Sequence, residues 1–162
     1  MYNKDDINKI RFSYEKKKGL ELKAYTRFHL AFPVDNLDTT KDFYLNLLNC
    51  KVGRESRNWV DFNLYGHQIV AHLSPDECNR VSSNIVDGDQ IPCRHFGVIL
   101  EWKKWEELSD RLNTLHIDYL IDPRIRFKNK PGEQGTFFIQ DPSGNILEFK
   151  TFKNDADVFK KF

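Results

Sequence analysis

Three histidines and a glutamate, His29, His72, His95 and Glu148, follow one another at intervals of 43, 23 and 53 residues. Each stands in a stretch where the pattern of apolar residues assigns it a face. Successive side chains of a strand point to opposite sides of the sheet, so alternation tells which residues share a side. In Gln68-Ile69-Val70-Ala71-His72-Leu73, His72 shares a side with Gln68 and Val70 and opposes Ile69, Ala71 and Leu73. In Ile146-Leu147-Glu148-Phe149-Lys150, Glu148 opposes the apolar pair Leu147 and Phe149. His29 opposes Phe28 and Leu30 in the same way, and His95 opposes Phe96 and Val98. With the wholly apolar sides packed on helices, all four polar groups turn toward one cavity. Neutral imidazole and carboxylate bind divalent transition metals, and two His with one carboxylate leave open positions, as in non-haem iron(II) centres. None of the four is a thiolate, which argues against a closed structural zinc site.

The elements that must position these groups occur twice. A strand at 28–34 is followed by a helix, capped by Asp38 or Thr39 and running to about Asn49, with Phe43, Leu47 and Leu48 on one side. Strands near 59–63 and 68–73 flank a turn at Tyr65-Gly66, and a polar connection spans 74–92. A second strand begins at His95, and the helix after it carries Trp105, Leu108, Leu112 and Leu115 as an apolar stripe. Strands near 119–121, 135–140 and 145–151 complete that half, the last two joined by Asp141-Pro142-Ser143-Gly144-Asn145. The pattern predicts an α+β fold: two βαβββ modules forming paired curved mixed sheets around a central metal cavity, helices outside. The modules fall at about 26–75 and 92–152 of a single domain over 23–153, between a charged extension at 1–22 and a tail at 154–162.

Composition narrows the function. The 162 residues are 40% hydrophobic and 30% charged, enough for one buried core. With 25 Lys+Arg against 24 Asp+Glu there is no net pull toward nucleic acid. The longest apolar run, Phe96–Leu100, is too short to span a membrane. No signal peptide is evident, and Cys50, Cys78 and Cys93 form no CxxC pair, which together predict reduced thiols in a cytoplasmic protein. No GxGxxG, P-loop or GxSxG element occurs.

The segments His29-Leu30-Ala31-Phe32-Pro33-Val34, Asp42-Phe43-Tyr44, His95-Phe96-Gly97-Val98 and Asp141-Pro142-Ser143-Gly144-Asn145-Ile146-Leu147-Glu148 resemble the vicinal-oxygen-chelate superfamily. That superfamily includes glyoxalase I, extradiol dioxygenases, fosfomycin-resistance transferases and bleomycin-resistance proteins. Trp59-Val60-Asp61-Phe62 and Pro131-Gly132-Glu133-Gln134 are most similar to small extradiol-type dioxygenases. The resemblance implies a divalent metal on His29, His95 and Glu148, with Fe(II) favoured and Zn, Ni, Co or Mn as alternatives. It implies for His72 either an acid–base role or, as in glyoxalase I, a fourth ligand position. Ring-cleaving members tend to carry a tyrosine on the penultimate strand, where this chain has Phe137 and Phe138. The reaction implied is dioxygenation of a small substrate with vicinal oxygens, the alternatives being glyoxalase-like isomerisation and sequestration of a small molecule.

Arg124, Arg126 and Lys128 precede the Pro131-Gly132 break and read as a solvated charged loop or, alternatively, as a lid that holds an anionic substrate, with Glu133 and Gln134 as candidates for its mouth. His67 falls on the face away from His72, beside a turn, and His116 follows the second helix as a surface or capping residue. A homodimer is expected, since each half-sheet keeps an edge that a second copy can cover. The halves can pair within one chain or exchange between two.

Overall fold

The computed structural model describes residues 26–78, 83–86 and 89–160; the extension expected at 1–22 lies outside them. The first module consists of β1 (His29–Val34), α1 (Leu37–Asp42), a π-helical turn (Phe43–Leu47), β2 (Lys51–Ser56), β3 (Trp59–Leu64) and β4 (His67–Leu73). The second consists of β7 (Phe96–Leu100), α2 (Trp102–Thr114), β8 (Tyr119–Arg126), β9 (Gln134–Gln140) and β10 (Ile146–Phe152). Between them, the connection read as merely polar contains a short 3-10 turn (Pro75–Glu77) and a two-stranded hairpin, β5 (Ser83–Val86) and β6 (Asp89–Pro92).

The two large sheets have matching strand orders, β1-β4-β3-β2 and β7-β10-β9-β8. In each, the first and last strands of the module run parallel and the remaining pairs antiparallel. This is the α+β arrangement of two βαβββ modules that the alternation predicts. The sheets remain separate, however, and do not close on one another. Their apolar sides share one continuous core, running from Phe32, Tyr44 and Phe62 to Trp105, Phe137 and Phe149. Tyr44 stacks on Phe62 with ring centroids 4.8 Å apart, and Phe137 stacks on Phe149 at 5.2 Å. Trp105 ties α2 to β10 by donating Nε1–H to the Phe149 carbonyl at 2.9 Å. Each such side chain contributes about 1.5–3 kcal/mol through burial.

Local chemistry corrects several boundaries. Asn36, rather than Asp38 or Thr39, caps α1, its Oδ1 accepting from the N–H groups of Asp38 and Thr39 at 2.9 and 3.1 Å. The α-helix ends at Asp42, and the π-helical turn widens the chain so that Tyr44 becomes fully buried. β2 was not marked by alternation because nearly all of it is exposed: Lys51, Arg54 and Glu55 line an outer edge. Arg124 and Arg126 are not in a lid. They belong to β8, opposite Thr136 and Gln134 of β9. Pro123 masks the strand in the sequence, but it sits at a register irregularity between Ile121 and Arg124 on an edge strand, where a missing N–H is tolerated.

The Asp141–Asn145 turn does more than join β9 to β10. Asp141, 3% exposed, accepts from the backbone N–H groups of Ser143 and Asn145, from Asn145 Nδ2 and from the Tyr44 hydroxyl. Asn145 Nδ2 also donates to the Pro33 carbonyl at 2.9 Å, and the Ser143 hydroxyl donates to Asp35 at 2.8 Å. The hairpin that presents Glu148 is thereby fastened to the end of β1.

Candidate metal centre

His95 immediately precedes β7, and Glu148 lies in β10 opposite Gly97, so parallel pairing brings the two side chains together. His95 Nε2 lies 3.3 Å from Glu148 Oε2. The other ring nitrogen, Nδ1, is 2.8 Å from the Pro92 carbonyl, which can only accept. Pro92 therefore fixes a proton on Nδ1; in the metal-free chain Nε2 carries a second proton, donated to Glu148, and its loss frees Nε2 in the orientation that an outer-shell acceptor gives a metal-binding imidazole. Thr136 donates its hydroxyl to Glu148 Oε1 at 2.7 Å, and the Lys150 ammonium lies 3.2 Å from the same oxygen. Phe138 closes the floor, its ring edge-on to His95 at 5.2 Å.

Gly97 makes this approach possible. A Cβ on Gly97 would overlap the Glu148 carbonyl oxygen, so any other residue there would push β10 away from β7.

His29, at the start of β1, is prepared in a parallel way. Its Nδ1 lies 2.9 Å from Gln68 Oε1. Gln68 uses its amide nitrogen to donate to Asp61 Oδ2 at 2.9 Å, so its oxygen is the end turned to His29. The His29 proton is thus on Nδ1, and Nε2 keeps its lone pair. Asp61 is buried and also accepts from Arg54 Nε at 3.3 Å. The relay Arg54–Asp61–Gln68–His29 spans all four strands of the first sheet.

The chain brings His95 and Glu148 together but not His29 or His72 with them. Among the described residues, no three His, Cys, Asp or Glu side chains converge tightly enough to hold a metal ion. His72 shares the face of His29, opposite Pro33 and Trp59, and is exposed. Its register differs from that of Glu148. Two residues beyond His95, Gly97 pairs with Glu148; two residues beyond His29, Ala31 pairs with Val70. His72 stands one further two-residue step along.

The cationic residues of β8 fall on the Glu148 face. Arg124, Thr136 and Lys150 share one row across β8, β9 and β10, and Arg126, Gln134 and Phe152 share the next. Glu133 is turned elsewhere, its carboxylate accepting from the Asn129 N–H at 2.6 Å to brace the β8–β9 loop. His67 accepts the Phe28 N–H on Nδ1 and serves the backbone, and His116 ends α2 with φ of 54°. Sequence reasoning did not single out Gln68, Asp61, Thr136 or Lys150. Only strand parity signals them, since all four alternate onto the ligand-bearing faces.

The electrostatics follow from these contacts. Burial opposes the Glu148 charge, yet hydrogen bonds from His95 and Thr136 together with Lys150 hold its pKa down to about 2. The Glu148 partner raises the His95 pKa, against burial. A carboxylate with a lowered folded pKa contributes stability above its unfolded value, here 4.5, and loses it as pH falls toward about 2. His95 works the other way: its contribution is present below 6.5 and lost as pH rises through its raised folded value. Both shifts describe one bond and count once. Metal-free Glu148→Gln protein should therefore lose about 2–3 kcal/mol of stability at pH 5–6 and show a flatter acid limb below pH 4.5. Urea midpoints measured from pH 2 to 7 test this; parallel acid limbs for both proteins would refute it.

With the geometry in view, comparison with known proteins is decisive. The model of the Glyoxalase/Bleomycin resistance protein/Dioxygenase superfamily matches residues 26–149. The chain belongs to this superfamily. A superfamily member from Alicyclobacillus acidocaldarius is 33% identical, with a TM-score of 0.67 over 83% of this chain and 97% of that one. A fosfomycin resistance protein of Listeria monocytogenes (16% identity, TM-score 0.59) matches over 82% of this chain and 96% of its own. The lactoylglutathione lyase of Agrobacterium tumefaciens (16%, TM-score 0.56) matches over 86% and 99%. These last two share the fold. No helix among the described residues of this superfamily member is long and apolar enough to cross a membrane.

Proposed function

We propose that two copies of this chain pair so that His29 of one copy joins His95 and Glu148 of the other around a divalent metal, Fe(II) in the first instance. The resulting enzyme is a dioxygenase of the extradiol type acting on a small substrate with vicinal oxygens. One observation carries the reading: both histidines have Nδ1 committed to an acceptor, which leaves Nε2 as the donor atom, and the His95 donor already faces a carboxylate. The donor set suits Fe(II) and also accepts Zn, Ni, Co or Mn. A homodimer supplies the third ligand that a single chain keeps apart from the other two.

When bound, the ion supplies Lewis-acid chemistry, lowering the pKa of a substrate hydroxyl held beside a second oxygen. The chain supplies the rest. Thr136 fixes the carboxylate plane of Glu148, and Pro92 and Gln68 fix the two rings. Phe138 keeps water from one side of His95. His72, on the His29 face, takes up the substrate proton and returns it to product. Arg124, Arg126 and Gln134 hold an anionic substituent on the opposite sheet.

A second reading is glyoxalase-like isomerisation on Zn, Ni or Co. Phe138 favours it: the residue beside Glu148 on β9 has no hydroxyl to assist ring cleavage. Dioxygen uptake by anaerobically purified, Fe(II)-loaded protein with a panel of catechols tests the first reading, and hemithioacetals with the other ions test the second. Oxygen uptake is expected, with His72→Ala retaining metal while turnover falls about 10²–10⁴-fold. Isomerisation without oxygen uptake would select the second reading. Failure to retain any divalent ion would overturn both and leave small-molecule sequestration.

A further inference from the structure

A cavity of about 530 Å³ lies on the seam between the first module and α2 and shares no lining residue with the metal centre. Leu48, Leu108 and Tyr65 give its lining an apolar part, beside Asn49, Asn63 and Glu107. Three cations, Lys51, Lys104 and Arg111, contribute to its lining from both modules. Lys104 and Arg111 are seven residues apart on α2, so they share its face with Leu108.

Two features mark this as more than a seam. The first is the fixing of Arg111. Its Nη2 donates to the Asn46 carbonyl at 2.7 Å across the module boundary, which anchors one corner of the guanidinium and leaves further N–H donors in the same plane. The acid in the groove, Glu107, lies 3.8 Å from Lys103, and Lys104 pairs with Glu101; all four are well exposed, so these pairs offer weak competition to a ligand.

The second feature is Tyr65. With Gly66 it forms the two-residue β3–β4 turn, and both have positive φ, 50° and 93°. Such a turn favours Asn-Gly, and an aromatic residue in the left-handed region is unfavourable. The ring nevertheless occupies this site, edge-on to Phe149 at 6.4 Å, where it walls the groove. Packing of the ring on Phe149 holds this strained residue in place beside the groove.

We infer that this groove binds a flat organic anion, its aromatic body against Tyr65, Leu48 and Leu108 and its phosphate, phosphonate or carboxylate group on Arg111, Lys51 and Lys104. The site is independent of the metal centre. Phenylphosphonate is the probe, titrated into the full chain at fixed ionic strength and followed by calorimetry and by the Tyr65 and Leu108 resonances. Saturation is expected with a Kd of about 1 mM or tighter, and inorganic phosphate and benzyl alcohol should each bind at least tenfold more weakly. Tyr65→Asn suits the turn and keeps the fold, as its melting temperature will show, yet should weaken binding about tenfold or more. Arg111→Lys should do the same, and Lys130→Gln, on the β8–β9 loop outside the groove, should change nothing. Equal affinity for inorganic phosphate, undiminished binding in Tyr65→Asn and Arg111→Lys, or no saturation at about 10 mM would each overturn the assignment.

Discussion

Neither His29→Ala nor Glu148→Gln protein should retain a divalent ion, yet a mixture of the two, unfolded and refolded together, should recover about a quarter of the sites. Random pairing makes half of the dimers mixed. In each mixed dimer one site combines the intact His29 of one subunit with the intact His95 and Glu148 of the other, while its second site lacks both groups. Each single variant should lose about 10²-fold or more in affinity, since two protein ligands rarely hold a divalent ion tightly. Metal retained per subunit after gel filtration reads the outcome. A site built within one chain would give no recovery at all. Recovery near a quarter would establish that His29 and Glu148 serve one site from different subunits.

Gly97→Ala should have the other large effect. The added methyl meets backbone rather than a movable side chain, so β7 and β10 must separate where Glu148 is held. Overpacking against a main-chain carbonyl should cost about 3 kcal/mol or more and abolish tight metal binding together. Val98→Ala, one residue along on the core side of the same strand, removes apolar volume without moving β10. It should lower stability while leaving metal affinity within a few-fold. Equal affinity in Gly97→Ala and the unsubstituted chain would show that Glu148 does not depend on the spacing of these strands.

Much of this arrangement was legible in the sequence because the relevant signals are local. Leu147 and Phe149 oppose Glu148 within five residues, and Asp141-Pro142-Ser143-Gly144-Asn145 announces the hairpin before it. The duplicated order of strand, helix and strands then made the paired sheets readable. What stayed hidden depends on register and on distant partners. Nothing near His29 says that Gln68, in β4, will take its Nδ1 proton, or that Asp61 will orient Gln68. Nothing in the spacing reveals that β1 and β4 pair with His72 one step beyond the position matching Glu148, because alternation fixes a face and leaves the offset free. Arg124 and Arg126 read as loop or lid residues because the Pro131-Gly132 pair punctuates the segment, whereas they lie in an edge strand that tolerates Pro123. β2 escaped because an exposed, charged edge carries no apolar period.

The turn at Asp141–Asn145 has a consequence for how the chain can be divided. Two copies of one ancestral unit would at first have been interchangeable, each able to stand beside any other. Here the second half supplies acceptors and donors that the first cannot replace: Asp141 for the buried Tyr44 hydroxyl, Asn145 for the Pro33 carbonyl, and Ser143 for Asp35. Expressed alone, the first half would leave a fully buried tyrosine without its acceptor and the end of its leading strand untied. These bonds across the halves make the repeat one folding unit.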